Sequence, residues 1–111
     1  MSSTQKRKPA RQKVHDSLLE QLHARGSDID AFIDMVNDYM TLYDAKEKLA
    51  KDIKKRGVVF EGVSSVGVNM VKNNPSVKEI VGVNRQMLAI LDKLEINTDN
   101  SKTGQDDDNG L

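Results

Sequence analysis

Asn73-Asn74-Pro75-Ser76-Val77-Lys78-Glu79 marks the start of a helix by its local chemistry alone. Asn74 can accept a bond from an unpaired amide of the first turn, and Pro75 suits the first helical position, where no N–H is needed. Glu79 lies near the positive end of the helix dipole. From there Val77, Ile80, Met87, Leu91 and Leu94 recur at helical spacing, widened by Val81, Val83, Leu88 and Ile90. The spacing predicts a helix over 75–95 whose seam is interrupted by Asn84.

Upstream, Gly57 is a natural helix stop, preceded by Lys54, Lys55 and Arg56, which suit the negative end of a helix. Ile29, Phe32, Ile33, Val36, Met40 and Tyr43 keep to one side, continued by Leu49, Ala50 and Ile53. Ser27 can cap this run, and Asp28 and Asp30 suit its first turn. A helix over 28–56 would be roughly 44 Å long, more than a small monomer can cover, so contact with a neighbouring subunit is expected. Between the two helices, Val58-Val59-Phe60 and residues 66–71 are rich in β-branched side chains interspersed with glycine and serine. They fit either a short β-hairpin or an irregular arm. Val14, Leu18 and Leu22, closed by Gly26, add a short amphipathic helix at the front. The expected fold is mainly α: a long helical hairpin with that excursion between its two main helices, in an oligomer.

The tails are of another kind. Residues 1–13 carry Lys6, Arg7, Lys8, Arg11 and Lys13 and no acid, while 97–111 hold Asp99 and Asp106-Asp107-Asp108 with no apolar residue before Leu111. Such segments bury too little to offset their ordering entropy and are expected to be disordered. The expected organisation is a basic arm (1–13), a helical domain (14–96) and an acidic tail (97–111). About 80 folding residues give a marginal core, for which oligomerisation is a common remedy. The absence of cysteine excludes disulfides and thiolate metal sites. No apolar run is long enough to span a bilayer, and no apolar stretch follows the basic start, so a soluble cytoplasmic protein is expected.

Catalysis finds little support. His15 and His23 would stand about 12 Å apart on a helix, too far to share a metal without other ligands. Gly57, Gly62 and Gly67 lack the context of a nucleotide-binding loop and read as turn residues. No catalytic residue, metal site or cofactor is assigned. The basic clusters say more. The arm can contact phosphates and release counterions. Lys46, Lys48, Lys51, Lys54, Lys55 and Arg56 outweigh Glu47 and Asp52 by four charges, which reads either as a second phosphate-contacting surface or as a solubilising face.

The order of these features resembles the small terminase subunits with which tailed phages package DNA. The resemblance rests on a long helix containing Asp44-Ala45-Lys46-Glu47-Lys48-Leu49-Ala50, the stop at Gly57 and a valine- and glycine-rich excursion. Asn74-Pro75-Ser76-Val77 and Gln86-Met87-Leu88 complete it, and the likeness covers about residues 14–96. It departs after the last helix, where family members commonly carry a Leu-Gly-Leu-Thr-Pro turn and this chain reads Leu94-Glu95-Ile96-Asn97-Thr98. The resemblance implies a non-catalytic subunit in the bacterial host cytoplasm, forming rings, binding viral double-stranded DNA and delivering it to a large ATPase/nuclease subunit. On that basis both basic clusters are assigned to DNA, and Ile29, Phe32, Val36, Tyr43, Val77, Ile80, Met87 and Leu91 to the subunit interface. A helical protein–protein adaptor and a helix-turn-helix-like transcriptional regulator are the alternatives.

Overall fold

The computed structural model describes residues 8–96. The elements run α1 (Ala10–Ala24), α2 (Asp30–Arg56), β1 (Val59–Val63), β2 (Asn69–Asn73) and α3 (Pro75–Lys93). The mainly helical expectation holds, and the excursion between the long helices is the hairpin rather than an irregular arm. β1 and β2 pair antiparallel, with Val59 opposite Asn73 and Val63 opposite Asn69. The second strand starts later than the valine pattern suggests, because Ser64 to Val68 are used for the turn. There the Ser64 amide donates to the Val68 carbonyl at 2.8 Å, and the Val68 amide donates to Ser64 Oγ at 3.1 Å.

Each helix ends by local chemistry. α1 is closed by Gly26 at φ 71°, with the Gly26 amide donating to the His23 carbonyl and the Ser27 amide to the Leu22 carbonyl. Ser27, expected to cap α2, is therefore part of the stop before it. The first carbonyl of α2's bonding ladder comes from Ile29, which accepts from Ile33 at 3.0 Å. α2 ends at Gly57, whose φ of 86° and 2.7 Å bond to the Ile53 carbonyl make the left-handed stop that glycine permits cheaply. At 27 residues α2 is about 40 Å long. α3 closes through Glu95 at φ 58°, a conformation a non-glycine residue adopts at some cost. The Ile96 amide donates to the Leu91 carbonyl there, and Arg25 donates to the carbonyls of Leu94 and, at 3.1 Å, Glu95.

The described residues form two compact units. The first joins residues 8–40 to 88–96, and its core is Leu18, Leu22, Val36, Met40, Leu94 and Ile96. An apolar groove of about 330 Å³ on this unit runs along Val14, Ser17, Leu18, Tyr39, Leu91 and Ile96. At its helix-to-helix turn, His23 Nδ1 lies 2.9 Å from Asp28 Oδ2. This hydrogen bond, aided by the carboxylate's charge, raises the His23 pKa and lowers that of Asp28. The second unit, Thr41–Met87, holds the end of α2, the hairpin and most of α3.

The His23–Asp28 pair has a defined pH window. His23 is more readily protonated folded than unfolded, so its share of stability is complete below the ordinary 6.5 and disappears as pH rises through the raised value. The share of Asp28 is present above 3.8 and is lost as pH falls through its lowered value. Thermal melts of the wild-type protein and a His23→Gln variant should therefore differ between those limits and converge above the His23 titration. The gap should be small, since both side chains are solvated. A constant gap across the titration would exclude the pair as its source.

Candidate nucleic-acid interface

The end of α2 is fixed by a polar joint built on Asn74. This residue is 2% exposed, so each of its polar atoms needs a partner. Oδ1 accepts from the Ser76 amide at 2.9 Å, which is the cap expected from the sequence, and also from Arg56 Nη2 at 3.1 Å. Nδ2 donates to the Gly57 carbonyl at 2.8 Å, and the Asn74 amide donates to the Val58 carbonyl at 2.8 Å. One side chain thus ties the stop of α2 to the start of α3. Asp52 completes the joint: its carboxylate accepts from Arg56 Nε at 2.8 Å, Arg56 Nη2 at 2.9 Å and Ser76 Oγ at 2.7 Å. These bonds, those from Arg56 foremost, hold its pKa far below the usual carboxylate range and raise that of Arg56. The Arg56 guanidinium also lies 4.7 Å from the centre of the Phe60 ring.

This joint separates Arg56 from the lysines beside it. Its Nε and Nη2 are engaged by Asp52 and Asn74, so within the expected DNA-contacting cluster it is the residue that shapes the element. Lys48, Lys51, Lys54 and Lys55 are exposed, and Lys46 is half-buried. Lys48, Lys51 and Lys55 step by three and four residues and so share one face of α2. Leu42, Leu49 and Ile53, all half-buried, follow the opposite side of the helix. Among the described residues none of these five lysines takes part in a salt bridge. The result is a row of solvated ammonium groups on a rigid helix, able to track phosphates without reading bases.

The cations of the arm are divided. Lys6 and Arg7 lie outside the described residues. Lys8 donates to Asp16 at 2.8 Å; the bond raises the Lys8 pKa and, with His15, lowers that of Asp16. Arg11 and Lys13 stand exposed on the first turn of α1, which begins at Ala10 and not, as the apolar pattern suggests, at Val14. Polar residues can extend a helix beyond its apolar stripe, and periodicity does not register them.

The residues assigned to a subunit interface fall into different environments. Val36 and Met87 are buried within the chain itself, at 0% and 4% exposure. Phe32, Tyr43, Val77 and Ile80 are half-buried, Leu91 lines the apolar groove, and Ile29 is exposed. Asp52 and Arg56 stand four residues apart on a helix, a spacing that in sequence reads as a surface pair, so the joint they form with Asn74 and Ser76 is not legible there. Among the described residues, no three His, Cys, Asp or Glu side chains converge to hold a metal ion, and no helix is long and apolar enough to cross a membrane.

Residues 12–102 match the family model described as "Phage terminase, small subunit". No curated protein and no solved structure matches the chain. The matched span takes in all of β1, β2, α2 and α3, the Asn74 joint and the lysine row. The chain therefore belongs to the phage terminase small subunit family, with a role in phage DNA packaging.

Proposed function

We propose that this protein is a non-catalytic subunit of the packaging machinery that binds viral double-stranded DNA and delivers it to the large ATPase/nuclease subunit in the host cytoplasm. In this reading several copies assemble into a ring, and each contributes the basic face of α2 and the basic residues at the front of the chain to the DNA backbone. The observation that carries the reading is the exposed lysine row, in a chain whose family packages DNA. Phosphate contact by ammonium groups gives affinity without sequence information.

The test is DNA affinity as a function of salt. Replacing Lys48, Lys51, Lys54 and Lys55 together with Ala should weaken binding to duplex DNA. The log–log salt slope should become shallower by about 0.9 for each phosphate that is no longer neutralised. The four positions are exposed and alanine is a good helix former, so the helical content should not change. An unchanged affinity and slope would remove the α2 row from the DNA-binding surface. The same measurement on a variant with Lys6, Arg7, Lys8, Arg11 and Lys13 replaced would then decide whether the front of the chain holds the DNA.

A further inference from the structure

The hairpin has one used face and one unused. Phe60, Gly62, Met70 and Lys72 point to the used side, where Arg56 covers Phe60 and the Lys72 stem lies across Gly62. A Cβ on Gly62 would stand 3.0 Å from Lys72 Cδ, and Lys72 Nζ reaches the Val63 carbonyl at 3.0 Å. The other face presents Val59, Val63 and Val71 at 49%, 58% and 65% exposure. Glu61 sits at their centre, directly opposite Val71 and between the two β1 valines. Its carboxylate has no salt bridge among the described residues. A two-stranded ribbon with three valines in water is marginal by itself and needs a cover.

α3 carries a surface of matching form and opposite charge. Val81 and Leu88 are 52% and 66% exposed, and Arg85 stands between them, four residues after one and three before the other. Arg85 is likewise exposed and has no salt bridge among the described residues. The spans agree: Val59 to Val63 covers about 13 Å of strand, and Val81 to Leu88 about 10 Å of helix. In each, a single charge is bracketed by apolar side chains.

We infer that the Val59–Glu61–Val63 face of one copy docks on the Val81–Arg85–Leu88 face of α3 in a second copy, with Glu61 paired to Arg85. Made head-to-tail, the contact leaves one copy of a pair with a free α3 face and the other with a free hairpin face. Repetition of such a contact closes a ring when the rotation allows it. The inference rests on the reading of the chain as an oligomer and assigns that oligomer its contact.

The experiment is mass by light scattering and sedimentation on the full chain, wild type against Glu61→Arg, Arg85→Glu and the combined variant. The wild type should be an oligomer. Each single reversal should raise the subunit dissociation constant on the order of tenfold or more, because two like charges then meet inside an apolar contact. The combined variant should recover most of the loss. Glu61→Gln and Arg85→Gln should move the constant the same way by less, and circular dichroism should report unchanged helix in all. A monomeric wild type, single variants of wild-type mass, or a combined variant no better than either parent would each overturn the inference. Wild-type mass with impaired binding to the large subunit would assign these surfaces to that partner. DNA affinity, measured separately through the lysine variants, distinguishes failure of this contact from failure of the packaging reading.

Discussion

Leu22→Ala is expected to destabilise the protein by about 3–5 kcal/mol, the range for deleting a fully buried leucine whose cavity cannot collapse. Leu22 is 0% exposed and shares its core with Leu18, Val36, Met40, Leu94 and Ile96. A core of so few side chains has little reserve, since a small domain is held by only several kcal/mol in total. At roughly 4–8 °C per kcal/mol for a domain of this size, the melting temperature should fall by about 12 °C or more. Loss of the cooperative transition at physiological temperature is the extreme of the same outcome. The Leu22 carbonyl also receives the Ser27 amide that closes α1, so slackening here loosens the turn into α2 as well. Val66→Ala, at a position 81% exposed, should cost less than about 0.5 kcal/mol and serves as the control. A drop of only a few degrees for Leu22→Ala would mean that α1 does not pack against the rest of this unit.

The parts of the fold legible in the sequence are those fixed by chemistry within a few residues. Asn74-Pro75 marks the start of α3 because cap and proline act on adjacent backbone groups, and Gly26 and Gly57 mark stops because each must adopt positive φ. What the sequence does not reveal depends on partners far along the chain. Arg25 reaches carbonyls about 70 residues away, and nothing near Arg25 announces it. Arg56 reads as one more cation of a basic run, and only the geometry of Asp52, Asn74 and Phe60 reveals its structural role. Helical periodicity marks Val36 and Ile29 alike as apolar positions, yet one is buried and the other exposed. Periodicity locates an apolar stripe; it carries no information about what covers the stripe. Glu61 and Arg85 are hidden for a related reason. Glu61 acquires its valine surround only once the hairpin register is known.

Asn74→Ala should cost about 2 kcal/mol, and the reason lies in how many roles one side chain fills. Loss of an asparagine cap alone accounts for roughly 1 kcal/mol. The rest comes from the half-buried Gly57 carbonyl, which loses the amide donor of a side chain that is 2% exposed. The melting temperature should fall by roughly 8–16 °C. Asn74→Ser separates the two contributions: a serine can still accept the Ser76 amide but is too short to bridge both Gly57 and Arg56. It should therefore recover less than half of the loss. The effect on DNA binding follows the same logic. With Asn74 gone, Arg56 retains Asp52 as a partner, and Asp52 retains Ser76. The lysine row upstream stays on an intact helix, so DNA affinity at low temperature should stay near wild type while thermal stability drops. Full recovery by serine would reduce Asn74 to a helix cap. The side-chain links between the stop of α2 and the start of α3 would then be those of Asp52, Arg56 and Ser76.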